Sequence, residues 1–183
     1  MQSAPKPSII ASFVFRSGNV LMHRLLPLLI GFLLVLPACA DKAGDNETVD
    51  ATHVVMHKNP GCGCCDVWAD HLRAHGFTVE SIDDPEIFEF KAANHIAGPL
   101  MSCHTAVVGG YIIEGHVPAN DILRLLKEKP DNVTALAVPG MPLGSPGMEH
   151  PRPQDFNTIA VLADGEAYAI FESHQAGEDF SAP

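Results

Sequence analysis

After an opening stretch with no period, the apolar and polar positions of the chain fall into short, regular elements. "THVVMH", Thr52–His57, is β-branched and partly alternating, which predicts a strand, and "KNPG" breaks it. Val67, Trp68 and Leu72 fall at helical spacing and predict a helix from about Cys62 to His75 with those three residues buried, closed by Gly76. "FTVESI" predicts a second strand. "PEIFEFKAANH" predicts a second helix carried by Ile87, Phe88 and Ala92. Thr105–Val108 and Tyr111–Glu114 flank Gly109-Gly110 and predict a hairpin. "VPANDILRLLKEK" predicts a third helix, with Pro118 in its first turn and an apolar stripe of Ile122, Leu125 and Leu126. Residues 130–155, rich in Pro, Gly and Met, read as one long loop. "TIAVLADGEAYAIFES" predicts a closing hairpin around Asp164-Gly165.

The order β-α-β-α-β-β-α, with a cysteine motif between the first strand and the first helix, predicts the α/β class. The expected fold is thioredoxin-like: a central mixed β-sheet flanked by helices, with an added C-terminal β-hairpin. The folded domain is expected over residues 52–175, with 176–183 as a tail.

The opening stretch has a different character. Leu25–Ala38 carries no charge and is shorter than the ~20 apolar residues of a bilayer span. His23 and Arg24 precede it and the small Ala38 ends it, which is the layout of a signal peptide over residues 1–38. A leader starting at Met22 has an ordinary length, so the true start is expected there. "LPAC", Leu36–Cys39, has the form of a bacterial lipobox apart from Pro37, with Cys39 as the lipidated residue. Residues 39–51 then form the lipid-anchor cysteine and a flexible tether. The expected location is the periplasm, as a membrane-anchored lipoprotein, in a compartment where disulfides persist.

Charge narrows the partners. The formal net charge is −11, and loss of the leader removes Lys6, Arg16 and Arg24 but no acid. Such a chain is a poor binder of nucleic acid and a plausible binder of cations.

The candidate chemistry is concentrated in cysteine. Of the five in the chain, Cys62, Cys64 and Cys65 sit in "PGCGCC". Cys62 and Cys65 form C-x-x-C at a helix N-terminus, where backbone N–H groups and the helix dipole favour thiolate. Thiolate is both the nucleophile of disulfide exchange and a ligand for soft metals, so this position alone leaves both chemistries open. Cys64 tips the balance to metal, since a third thiol would scramble a dithiol site. Gly63 is read as relieving bulk in the turn. Cys103 and His104, in "SCHTA", stand where thioredoxins usually place a cis-proline, and a fourth sulfur there suits Cu(I), Zn²⁺ or an iron–sulfur centre.

Met101 lies close by, and Met141, Met148 and His150 lie in the long loop. Thioether suits Cu(I) more than zinc. Met101, His104, His116, Met141 and Met148 are therefore candidate secondary ligands or lid residues. His71 and His75, spaced by four, are expected at the surface, as are His53, His57, His95 and His174. Asp66 is expected to favour the helix N-terminus, and Trp68 to be core. Two structural disulfides among the four cysteines are the competing reading.

"NPGCGCC", "SCHTAVVGGYIIEGHVPA" and "AVPGMPLGSPGME" together resemble the CopG-type copper-resistance proteins, a bacterial periplasmic family, over about residues 53–175. The resemblance implies a thioredoxin-like fold and a cysteine-bridged cluster of several copper ions on Cys62, Cys64, Cys65 and Cys103. It also implies a role in copper resistance, with interconversion of Cu(I) and Cu(II) as one mode of action. Cu(I) is the favoured state on softness. Silver and periplasmic copper-handling proteins are further candidate partners. A copper oxidoreductase, a thiol–disulfide oxidoreductase acting on proteins, a passive copper storage or delivery protein, and a zinc site all stay open.

Overall fold

The computed structural model describes residues 50–163, 165 and 167–183. The expected leader, Cys39 and nearly all of the tether lie outside the described residues, as does Asp164 of the last turn. No helix among the described residues is long and apolar enough to cross a membrane.

The elements follow the chain as β1 (His53–Lys58), α1 (Gly63–Ala74), β2 (Thr78–Asp83), α2 (Ile87–Ala93), β3 (His104–Val108), β4 (Tyr111–Glu114), α3 (Ala119–Glu128), β5 (Val133–Ala137), β6 (Phe156–Leu162) and β7 (Tyr168–His174). They build a seven-stranded mixed sheet in the order β2-β1-β3-β4-β5-β6-β7. β1 pairs parallel with β2 and antiparallel with β3, β3 pairs antiparallel with β4, and β4 pairs parallel with β5. The β2-β1-β3-β4 half with its helices is thioredoxin-like, and β6–β7 is the added C-terminal hairpin.

Alternation along the strands sorts side chains onto two faces. On one face Val54, Met56, Ala106, Val108, Ile113, Leu136 and Ala160 pack with Trp68 and Leu72 of α1 and Ile122 and Leu125 of α3. On the other, Ala135, Ala137 and Val161 pack with Ile96 and Leu100. Trp68 is fully buried, and its Nε1–H donates to the Val117 carbonyl at 2.9 Å, so α1 is tied to the segment leading into α3.

Several expectations need correction. Val67 is 47% exposed; Cys65, Trp68, Ala69 and Leu72 form the buried stripe of α1. On α2, Phe88 is 65% exposed and Ala92 is exposed as well. The inward positions are Ile87 and, one turn later, the charged Lys91. The expected long loop contains β5, whose "VTALA" is too short and too close to Pro130 to stand out by pattern. His174 is 3% exposed and His71 and His75 are half-buried, not at the surface. Within the expected tail, the Phe180 ring packs against Phe156 and His174.

Candidate metal centre

Four sulfurs converge where β1 passes into α1 and the chain enters β3. Cys62 is the residue preceding α1, Cys64 and Cys65 lie in its first turn, and Cys103 precedes β3. Antiparallel pairing sets Lys58, at the end of β1, opposite His104, and this register brings the two segments together. The ligand atoms of Cys62, Cys64, Cys65 and Cys103 all lie within 4.8 Å of one another. Cys65 is buried and the other three are half-buried, so the cluster is open to solvent on one side. No cis peptide bond occurs among the described residues; a trans-linked Cys103 stands at the expected cis-proline position.

The four sulfurs are not equivalent. Cys62 and Cys65 are joined by a disulfide, whereas Cys64 and Cys103 are free thiols. Cys64 Sγ is 3.5 Å from Cys62 Sγ and 3.9 Å from Cys103 Sγ. Gly63 is not required by crowding, because a Cβ built there meets no atom within 4 Å.

Cys103 also belongs to a second group of close donors, with His104 and His116. His116 is fully buried, and its Nδ1 lies 2.7 Å from the Pro146 carbonyl, which can only accept. Nδ1 therefore carries the proton, and the Nε2 lone pair faces Cys103 Sγ at 3.0 Å. The Cys103 thiol donates to that nitrogen. His104 Nδ1, 3.4 Å from the same sulfur, then donates to it, leaving a buried Nε2 with no hydrogen-bond partner. Trp68 packs beside the His104 ring at 4.3 Å. A metal on His104 Nδ1 would push its proton to that partnerless Nε2, so His116 is the better placed imidazole ligand.

Electrostatics agree with a neutral, proton-bearing pocket. Burial, reinforced by Cys64, pushes the Cys103 thiol up to about 12. Burial holds His104 well below its ordinary value, helped by His116 and Lys91. Burial also lowers His116. A cation binding here must displace the Cys103 proton, so loading weakens as pH falls.

Gly147, at φ +83°, is where the long loop touches this pocket: a Cβ there would stand 2.7 Å from the Cys64 carbonyl oxygen and 2.9 Å from the Trp68 backbone nitrogen. Met148 is half-buried beside it, whereas Met141 is 52% exposed. Met101 is half-buried against the smaller apolar cluster. His150 Nδ1 bonds only within its own turn, accepting from the Arg152 N–H. Asp66 is in the first turn of α1 as expected, and pairs with Lys58 at 3.3 Å.

Sequence reasoning missed a charged support behind Cys103. Lys91 Nζ lies 2.5 Å from Glu114 Oε1 and donates to Thr105 Oγ1 at 2.8 Å. Glu114 Oε1 also accepts the Ser102 N–H at 2.6 Å, one residue before Cys103. The available signal was Lys91 at i+4 from Ile87, in line with the buried face of α2.

The family model described as a protein of unknown function, DUF411, matches residues 100–148, which hold Cys103, His104 and His116. A comparison with curated proteins finds no match. Two solved structures are similar: copper resistance protein CopG, form 1, is 34% identical with a TM-score of 0.64, over 68% of this chain and 98% of that one. Form 2 is 35% identical with a TM-score of 0.63, over 67% of this chain and 97% of that one. Identity at this level over nearly the whole of those structures, in the same fold, makes the chain a member of the CopG family of copper resistance proteins.

Proposed function

We propose that this protein binds copper in copper resistance, in the periplasm, on Cys62, Cys64, Cys65 and Cys103. The observation that carries the reading is the convergence of these four sulfurs within 4.8 Å at the mouth of a thioredoxin-like sheet. Sulfur donors select soft ions, and each thiolate can bridge two Cu(I), so few ligands serve several ions. In its reduced form the site is read as holding a cysteine-bridged multinuclear copper cluster, and interconversion of Cu(I) and Cu(II) is its proposed mode of action. His116 is its imidazole ligand, His104 braces Cys103, and the loop with Met141 and Met148 covers the cluster. Lipidation of Cys39 would hold the protein at the membrane; silver would compete for the same sulfurs.

The test is metal stoichiometry. The fully reduced chain, titrated with Cu(I) without oxygen, is expected to take up several ions, and Cys103→Ala to lose most of them. One ion or none, with Cys103 dispensable, would sink the cluster reading. The Cys62–Cys65 disulfide favours a second reading, a thiol–disulfide oxidoreductase acting on proteins. Reduction of insulin by the metal-free dithiol form, at a rate lost in Cys62→Ser, would favour it over copper binding.

A further inference from the structure

Oxidation of a simple dithiol site uses up its sulfur ligands. Here it does not. With Cys62 and Cys65 joined, Cys64 and Cys103 are still free, with their sulfurs 3.9 Å apart. Cys103 still faces the His116 Nε2 lone pair at 3.0 Å. The fold thus keeps a thiol–imidazole donor set, Cys64, Cys103 and His116, in the state where the C-x-x-C pair is closed. The two sets adjoin, since Cys64 Sγ lies 3.5 Å from Cys62 Sγ. An ion held on Cys64 is therefore next to the sulfur of the oxidisable pair.

Resting on the copper reading above, we propose that the Cys62–Cys65 pair supplies the electrons that reduce Cu(II), and that Cys64, Cys103 and His116 retain the Cu(I) produced. The step balances with cupric ion as the only oxidant. The Cys62 and Cys65 thiols lose two protons and two electrons and form one S–S bond; two Cu(II) each gain one electron and become two Cu(I). The protons leave to solvent. Starting from four thiols, no further reactant enters. Softness directs the product to the remaining donors, because Cu(I) prefers thiolate and imidazole to water. Cys64 then has a defined part: it is the ligand that survives oxidation and keeps the ion beside the pair that reduced it.

The order of events distinguishes this from a cluster that changes valence with all four sulfurs reduced. It predicts a fixed ratio of one disulfide per two Cu(I), and a specific pair. The full chain, reduced and freed of reductant without oxygen, would be mixed with two equivalents of Cu(II). Cu(I) would be read with a chromogenic Cu(I) chelator, and thiols by alkylation and peptide mapping after copper removal. The expected result is two Cu(I) per chain, two thiols lost, Cys62 linked to Cys65, and Cys64 and Cys103 both alkylated. Survival of the Cys62 and Cys65 thiols, or a disulfide joining Cys64 to Cys103, would overturn the proposal.

The oxidised chain, titrated separately with Cu(I), is expected to bind it through the remaining donors, with affinity falling about tenfold or more in either Cys103→Ser or His116→Gln. Far-ultraviolet circular dichroism checks that each variant is folded, and two variants guard against the loss of one. No Cu(I) binding by the oxidised chain would overturn the retention step. If the reduced chain binds several Cu(I) yet leaves Cu(II) unreduced, this proposal fails and the copper reading stands. If neither form binds Cu(I), the copper reading itself fails.

Discussion

Removing one partner of the Lys91–Glu114 pair tests what holds Cys103 in place. Lys91 is 1% exposed and Glu114 is fully buried. Besides its contact with Lys91, Glu114 accepts Thr105 Oγ1–H at 2.5 Å and the Ser102 N–H at 2.6 Å. Lys91→Met keeps most of the apolar stem but leaves the carboxylate buried without its cation. Breaking a buried pair this way costs about 3–5 kcal/mol. In a domain of this size, that lowers the melting temperature by roughly 10–20 °C. Urea unfolding of the metal-free chain, followed by fluorescence of the sole tryptophan, Trp68, reads the cost directly. In Lys91→Met/Glu114→Gln the neutral amide still accepts the Ser102 N–H and no charge is stranded, so the double variant should recover about 2 kcal/mol relative to Lys91→Met. Copper retention should fall in Lys91→Met and partly return in the double variant. A loss below about 1 kcal/mol in Lys91→Met, or a double variant less stable than that single one, would refute the argument that a stranded charge sets the cost.

Gly147→Ala should loosen the long loop: its Cβ would meet backbone atoms at 2.7 and 2.9 Å that cannot swing aside, at a φ of +83° that costs a side chain about 1–2 kcal/mol. Faster copper loss to a chelator is expected, whereas Gly63→Ala, with nothing within 4 Å, should behave as wild type; equal rates for all three would count against the contact. His174 gives a pH signature. Burial pulls its pKa down, but bonds to Asp121 at 2.9 Å and Glu178 at 3.1 Å outweigh this and raise it above 6.5. The protonated ring therefore stabilises the fold fully below about pH 6.5, and the gain is lost as pH rises through the higher folded value. The stability difference between wild type and His174→Gln should shrink as pH rises from about 6.5; a difference that grows would reverse the sign.

The sequence disclosed the thioredoxin-like half because its signals are local. Gly109-Gly110 marks a hairpin, Pro118 opens a helix, and Trp68 and Leu72 repeat at helical spacing. It also disclosed the four sulfurs, because cysteine is scarce in this chain. What stayed hidden depends on pairings distant in sequence. "VTALA" becomes β5 because β4 and β6 flank it. Lys91 is buried because Glu114, across β3 and β4, receives it; the i+4 spacing from Ile87 marks its face of α2 but not the distant carboxylate that lets a charge sit there. Phe88 looks like core by composition, yet it lies on the outer side of a short helix. The division of the cysteines into a bonded pair and two free thiols is likewise invisible in "PGCGCC", where C-x-C and C-x-x-C overlap.

The bond from His116 to the Pro146 carbonyl has a consequence for adaptation. The segment that fixes which imidazole nitrogen is free has no regular secondary structure and contributes no side chain to that bond. Insertions or deletions there can shift the carbonyl by fractions of an ångström while every ligand stays the same. On the copper-binding proposal, metal preference and release rate would thus drift under selection acting on spacer length, with sheet and cysteines left untouched. A redesign seeking a looser or tighter holder would do better to vary that spacer than to exchange a sulfur.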